Sequence, residues 1–404
     1  MCEQHSFIKG RSTLTNLFIY TDFISSSLNT GYQVDSVYLD FKKAFDSGNH
    51  SLLLSKLKNF GLRGSFLSWL RSYLIGRESL VRIKGTFSDS FIVNSGVPQG
   101  SHLGPFLFLL FINDINKDLK YSEILIFADD VKLFKKICSP LDQSKLQLDL
   151  NTIIEWAKVN DLELNIGKCS LLIFHRGSCY DTRYTVDGIF LERVTEQRDL
   201  GVIFQENFEV DLQLRSVVSK AFRVLGLIIR SCSEFNCETL VYLYKTILRP
   251  ILLYNSQIWS PHLISHVRLL ESVQHKFFRY LAYRLGVPFS FDEHDYGNFS
   301  KDVRLCSLKS LHSYHDLLFV KRILGSSLPN LGDCLVKLFP FRINSFNTRS
   351  HRELFETNTS RDYIFHSSVF RLRRVWNSLD IEVKASVKLC DFKDSLFESV
   401  CKYE

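Results

Sequence analysis

No two of the ten cysteines are spaced as Cys-x-x-Cys, so the chain lacks the usual ligand pattern of a structural zinc site. The nearest pair, Cys232 and Cys237, falls in a segment that reads as a turn, and reduced thiols are expected. Long apolar runs are missing too. The longest, Phe106 to Ile112, is far short of the roughly 20 residues needed to span a bilayer, and reads instead as a buried helix. The opening Met1-Cys2-Glu3-Gln4-His5 is polar and carries an acid. A signal peptide is therefore not expected, and an intracellular setting, cytoplasm or nucleus, is. Internal repeats and low-complexity tracts are absent, which excludes solenoids and arrays. Methionine occurs once and phenylalanine 34 times, pointing to an aromatic-rich core. With 404 residues, 45% hydrophobic and 23% charged, the chain is expected to pack as two or three globular domains.

What is present is a localised positive charge. The net charge is +7, and the stretch from Leu212 to Ser290 holds ten Lys or Arg against three acids, Glu234, Glu238 and Glu271. That surplus equals the whole chain's. A basic face of this kind suits a polyanion such as a nucleic-acid backbone; the alternative is a solvated helix surface.

The periodicities predict a helix over 13–28, a buried strand over 34–41, and helices over 51–60 and 65–74, with Gly61 ending the first and Ser65 capping the second. A hairpin over 80–93 turning at Gly85, a Gly/Pro loop over 95–104 and an apolar helix over 105–113 follow. After them come a helix over 146–160 and strands at 162–165, 169–174 and 201–204. This order predicts an α+β sheet covered on one face. Beyond Asp211 the pattern turns helical, at 211–230, 236–254, 263–284, 302–324 and 367–379.

Chemistry concentrates in three places. Phe127-Ala128-Asp129-Asp130 reads as a tight turn between two apolar strands, and adjacent acids there are costly without a cation. Asp40 closes the buried strand Val37-Tyr38-Leu39, where it can complete a carboxylate cluster for two Mg2+ ions, which sit about 3.5–4 Å apart in two-metal sites. Its structural alternative is a helix N-cap, the reading preferred for Asp46. The loop Ser95-Gly96-Val97-Pro98-Gln99-Gly100-Ser101 can bring backbone close to a nucleotide, with Gln99 bonding a sugar or base edge.

Together these segments resemble the palm of reverse transcriptases, and more narrowly that of non-LTR (LINE-type, jockey-like) retrotransposons. Gln4 to Thr13 resembles the family's Q-x-G-F-R-x-G-R-S-T block, with Ser6 where glycine is usual. Asp40 to Asp46, Ser95 to Pro105, Phe127 to Asp130 and Trp156 to Phe174 resemble motifs A, B, C and D in order. Asp199-Leu200-Gly201-Val202, Leu248-Arg249-Pro250 and Trp376-Asn377-Ser378-Leu379 resemble downstream blocks. The resemblance implies a right-hand palm with partial fingers over 1–205, a basic helical thumb over 206–290, and a mostly helical region of unknown role over 291–404. It implies Asp40, Asp129 and Asp130 as Mg2+ ligands, Mn2+ being possible, with the Phe41 carbonyl as a backbone ligand. Phe45 would exclude a ribose 2′-hydroxyl, and Gln99 and Gly100 would line the nucleotide pocket. Lys168 would protonate pyrophosphate or be an ordinary surface lysine; Arg11 would touch template or triphosphate or be solvated. Lys220, Arg223, Lys245, Arg249, Lys276 and Arg279 would hold nucleic acid. The partners implied are an RNA template, a DNA primer and deoxynucleoside triphosphates, with no membrane.

Three departures accompany the resemblance. The sequence opens just before the Gln4 block, and the expectation is that the family's earlier fingers segment and an endonuclease are missing. Gly48 stands where an apolar residue is usual, and His102 where a small one is, with the potential to crowd the pocket. The expectation is a 5′-truncated or decaying copy, or a fragmentary gene model, that binds Mg2+ without efficient processive synthesis; the alternative is an impaired relic that only binds nucleic acid.

Overall fold

A computed structural model of the chain describes residues 3–177, 179–288, 293–325, 335–340, 355, 367–386 and 388–401. The chain parts into two compact units. The first comprises Met1–Asn16 and Thr30–Thr195, the second Leu17–Asn29 and Glu196–Glu404.

The first unit is built on five strands: β1 (Gln33–Leu39), β2 (Glu123–Phe127), β3 (Asp130–Ile137), β4 (Ser170–Phe174) and β5 (Glu192–Val194), in the order β5-β4-β1-β3-β2. Strand β1 pairs antiparallel with β3 from Gln33↔Ile137 to Leu39↔Val131, and antiparallel with β4. The run Val37-Tyr38-Leu39 favours such a centre because β-branched and aromatic side chains fit a pleated buried surface. On one face Val37, Leu39, Val131, Leu133, Leu171 and Ile173 pack into a core with Leu53, Phe108, Phe111, Leu150 and Ile153 from helices over residues 50–59, 103–112 and 140–159. The expectation of a single covered face fails. All seven β1 residues are buried, and Ser36, Tyr38, Lys132, Phe134, Leu172 and Phe174 are buried on the opposite face.

Polar residues brace this unit from inside. The Asp35 carboxylate accepts hydrogen bonds from Gln33 Nε2 (2.8 Å), Thr182 Oγ1 (2.5 Å) and Tyr184 OH (2.6 Å), tying 180–184 to β1. Lys56 Nζ donates to the Phe111 carbonyl and to Asp114 Oδ1, each at 2.7 Å, and Trp156 Nε1 donates to the same carboxylate at 2.9 Å. Buried charge is tolerable there because each polar atom has a partner.

Boundaries moved where capping chemistry overrode periodicity. The helix expected over 146–160 begins at Pro140, because Ser139 and Asp142 form a capping box and proline starts a helix readily. Arg63, not Ser65, occupies the N-cap of Gly64–Leu74 and caps with no side-chain bond. The strand expected over 162–165 is only a bridge at Leu164, followed by a 3-10 turn over Ile166–Lys168.

The second unit is helical after a hairpin of β6 (Glu196–Asp199) and β7 (Val202–Gln205). Long helices at Asp211–Ser231 and Ile264–Leu285 agree with the sequence pattern. The helix expected over 236–254 runs from Cys237 to Leu253 with a π turn inside it, at Tyr244–Leu248. Pro250 explains the π turn: it has no N–H for the Thr246 carbonyl, and the Arg249 N–H reaches back five residues to Tyr244. Further helices run over Leu308–Gly325, Ser368–Asn377 and Leu389–Val400, the last without a sequence expectation. Among the described residues no helix is long and apolar enough to cross a membrane.

His312 sits in this core, with Nδ1 2.8 Å from Ser260 Oγ and Nε2 3.0 Å from the Leu252 carbonyl. Burial pushes its imidazole down to about 3, well below the ordinary 6.5 of a histidine. Below pH 6.5 the unfolded chain therefore binds a proton that the folded chain refuses, and stability falls with pH. The stability of the wild type relative to His312→Gln should drop by up to about 1.4 kcal/mol per pH unit from 6.5 to 4.5, as measured by urea unfolding.

Candidate active site

The β1–β3 register sets the geometry. Leu39 pairs with Val131, so Asp40 leaves its strand level with Asp130. Tyr38 and Lys132 lie on the face away from the helical core, and the pleat puts Asp40 and Asp130 on that face too. Asp130 is exposed. Asp129 lies at the tip of the two-residue turn between Phe127 and Asp130, which pair with each other. Its carboxyl is held above the ordinary carboxylate range, chiefly by burial and further by the negative charge of Asp40.

Lys168 joins these acids. Its Nζ lies 3.6 Å from Asp40 Oδ2, with side chains 68% and 35% exposed. The backbone fastens the two segments: the Asn165 N–H donates to the Asp40 carbonyl and the Lys42 N–H to the Glu163 carbonyl, both at 2.8 Å. Phe41, opposite Leu164 between those bonds, turns its own peptide groups to the other edge, the β3 side. Its ring packs on Trp156, 6.5 Å between centroids.

Among the described residues no three His, Cys, Asp or Glu side chains close into a metal cage. The donors are two carboxylates in electrostatic contact, with Asp130 on the neighbouring strand end. That set fits Mg2+, which keeps several waters and is usually held by one or two carboxylates and by substrate phosphates.

The second loop is locked to the segment after Asp40. Phe45 stacks on Phe108 at 4.2 Å, and its carbonyl accepts the Val97 N–H at 2.8 Å. Ser95 Oγ donates to the Asp46 carbonyl (2.7 Å) and Gln99 Nε2 to Asp46 Oδ1 (2.8 Å). Asp46 is thus no helix cap; Asn49 caps His50–Asn59, accepting from the Ser51 and Leu52 N–H groups. Gly96 has φ +72°, and a Cβ there would lie 2.5 Å from Asp46 Cα and from the Phe45 carbonyl oxygen. Gln99, Gly100 and His102 are all exposed. Arg11 does not stand free: its Nη1 donates to the Gln4 carbonyl at 2.6 Å.

The sequence assigned no role to Gln4 or Ser6, yet both are buried against the acidic turn. Ala128 holds φ +58°, a conformation that costs a residue with a Cβ about 1–2 kcal/mol, and its N–H donates to Gln4 Oε1 (3.1 Å) and Ser6 Oγ (2.8 Å). The contact joins residues more than 120 positions apart, which no local pattern announces.

In the second unit, Lys220 and Arg223 are exposed on the helix Asp211–Ser231, and Lys276 and Arg279 on Ile264–Leu285, the helix packed against it. Lys276 Nζ sits 5.3 Å over the Phe222 ring. An open groove here is lined by Arg215, Val218, Ser219, Phe222, Arg223 and Leu269. Lys245 and Arg249 lie elsewhere. They are half-buried, near Arg304 and Cys306, and burial lowers the Lys245 ammonium.

A family model for reverse transcriptase (RNA-dependent DNA polymerase) matches residues 2–229. The chain is 28% identical over 296 residues to the probable RNA-directed DNA polymerase from transposon X-element of Drosophila melanogaster. It is 28% identical over 297 residues to the RNA-directed DNA polymerase from mobile element jockey of Drosophila funebris. These matches cover 69% and 70% of this chain and 32% of each relative, so the chain spans about a third of the curated relatives' length. A solved telomerase from Candida tropicalis is similar at 13% identity and a TM-score of 0.40, over 83% of this chain and 49% of that one.

The glycines give a direct test. Gly96→Ala should destabilise the first unit by at least about 3 kcal/mol, since the new Cβ meets backbone on a positive φ. Gly48, at φ −55° with open space around a built Cβ, should accept alanine with a change below about 1 kcal/mol, in the stabilising direction. Urea unfolding of the two variants measures both.

Proposed function

The chain belongs to the reverse transcriptase (RNA-dependent DNA polymerase) family, and from that premise we propose that it is the polymerising part of a non-LTR retrotransposon RNA-directed DNA polymerase. It adds deoxynucleotides to the 3′ end of a DNA primer paired with an RNA template. The observation that carries the reading is the meeting of Asp40, Asp129 and Lys168 at one end of the sheet, in a chain with jockey and X-element relatives.

Asp40 and Asp129, supported by Asp130 and the Phe41 carbonyl, would hold two Mg2+ ions, which would supply Lewis acidity to the primer hydroxyl and positive charge against that developing on the phosphate. The primer 3′-hydroxyl gives up its proton to solvent as its oxygen bonds the α-phosphorus in line, the bond from that phosphorus to the bridging oxygen breaks, and pyrophosphate leaves. Lys168 gives the departing pyrophosphate a proton; its exposed pairing with Asp40 is weak enough to be exchanged. Phe45, wedged on Phe108, forms the floor that refuses a 2′-hydroxyl, and the Gln99-Gly100 loop lines the same pocket. We assign the partial fingers and palm to 1–205 and the thumb to 206–290, and leave 291–404 without a catalytic role. Lys220, Arg223, Lys276 and Arg279 grip the RNA–DNA hybrid by its phosphates, without reading sequence.

Single-nucleotide extension of an RNA-templated DNA primer tests the chemistry. The chain should extend it, and Asp129→Ala and Asp40→Asn should lose about 1000-fold or more, the size of effect expected when a charge-stabilising group is removed. Equal activity in all three overturns the assignment. Absence of activity in all three, with hybrid binding intact, leaves a binding relic. Hybrid affinity should fall with salt, and Lys276→Ala should reduce the slope of log K against log salt by about 1, one phosphate contact fewer.

A further inference from the structure

We propose that Gln4, aided by Ser6, is a positioning residue for Asp129, acting through the turn residue Ala128. The proposal rests on the reading of Asp129 as a metal-holding acid.

The argument starts from the turn. Ala128 is buried and has φ +58°, where glycine, asparagine or aspartate would sit with less strain. Something must hold it there. A primary amide carries an acceptor and a donor side by side, and the Gln4 amide presents both to Ala128. Its Oε1 accepts the Ala128 N–H at 3.1 Å, and its Nε2 donates to the Ala128 carbonyl at 3.4 Å. Ser6 closes the ring: its Oγ accepts the Ala128 N–H at 2.8 Å and donates to Gln4 Oε1 at 2.9 Å. The Ser6 N–H also donates to Gln4 Oε1, at 2.9 Å, so every neighbour agrees on which end of the amide is oxygen.

The amide itself is anchored. Gln4 forms a parallel bridge with Ile126, whose N–H donates to the Glu3 carbonyl and whose carbonyl accepts the His5 N–H. Asn16 Nδ2 donates to the same Ile126 carbonyl at 3.1 Å, and Arg11 fixes the Gln4 carbonyl. Gln4 and Ser6 are each 2% exposed, so water cannot replace these bonds. The peptide that links Ala128 to Asp129 is therefore held on its carbonyl side by a side chain from the start of the chain. Release of that hold lets Ala128 relax toward negative φ, which rotates the peptide and swings Asp129 away from Asp40, the direction their charges favour.

The test uses the full chain and Mn2+ as the probe, with free Mn2+ followed by EPR and single-nucleotide extension run in parallel. Gln4→Ala should weaken Mn2+ binding about tenfold and lower kcat by a similar factor, with KM for the nucleotide changed less than twofold. Ala128→Gly, added to Gln4→Ala, should bring Mn2+ binding back to within about threefold of the wild type, because glycine takes positive φ unaided. A merely structural role would not be rescued this way, so failure of the rescue overturns the action through Ala128. Should Gln4→Ala fail to fold by circular dichroism, Ser6→Ala takes its place with an expected loss of about threefold. Asp129→Ala separates this proposal from its premise. Unchanged Mn2+ binding in Asp129→Ala sinks the metal-site reading itself. Loss of binding there, with wild-type binding in Gln4→Ala and Ser6→Ala, sinks the positioning role alone.

Discussion

Two carboxylates that repel each other are held together, and the first unit is arranged around that constraint. Asp129 is partly buried and feels the charge of Asp40. Left to themselves, side chains on two strand ends would splay and solvate separately. The seven-residue ladder between β1 and β3 prevents this by setting Asp40 level with Asp130. A register slip of one residue would turn Val37 and Leu39 out of the helical core, so the apolar pattern that buries the sheet also fixes the acids. The burial of β1 on both faces stiffens the platform further.

How much of this was legible depends on the range of the interaction. The acidic hairpin was readable because its turn and both strands are contiguous, and the resemblance to reverse transcriptases followed from motifs that are each local. The capping box at Ser139 and Asp142 is local, Ser-Pro-x-Asp before an apolar-periodic run, but it lies ahead of the first apolar position that periodicity marks. The clamp of Gln4 and Ser6 on Ala128 was not readable, because nothing near Ala128 in sequence indicates a left-handed backbone. Nor was the Gln99–Asp46 bond, which joins two segments that each carry an ordinary local reading. The cover over both faces of β1 escaped for another reason. Ser36 and Lys132 look like an outward face by residue type, yet both are buried.

The second unit shows the same limit on composition as a guide. Ten basic residues between 212 and 290 look like one charged surface, but the fold divides them. Lys220, Arg223, Lys276 and Arg279 stay exposed on two packed helices, whereas Lys245, in the π turn, and Arg249, just after it, are half-buried. The interior is polar as well as aromatic: the Tyr244 hydroxyl donates to Gln274 Oε1 at 2.8 Å, and Gln274 Nε2 donates to the Cys306 carbonyl at 3.0 Å. Arg371 spans Asp316 Oδ2 at 3.0 Å and the Gln257 carbonyl at 2.6 Å. Such networks hold helices in one register because any slip leaves a buried polar group without a partner.

The pairing of Lys168 with Asp40 connects architecture to chemistry. A cation is needed wherever Asp40 and Asp129 converge, and a lysine ammonium supplies one positive charge without closing the site. The 3-10 turn at Ile166–Lys168 stays close because the Asn165 N–H is bonded to the Asp40 carbonyl, so the ammonium cannot drift far even when its ion pair breaks. The pair is largely exposed and contributes little, and a divalent ion with twice the charge would displace it at small cost. A lysine tethered by backbone and loosely held by charge is thus free to pass from one anion to another at that end of the sheet without leaving it.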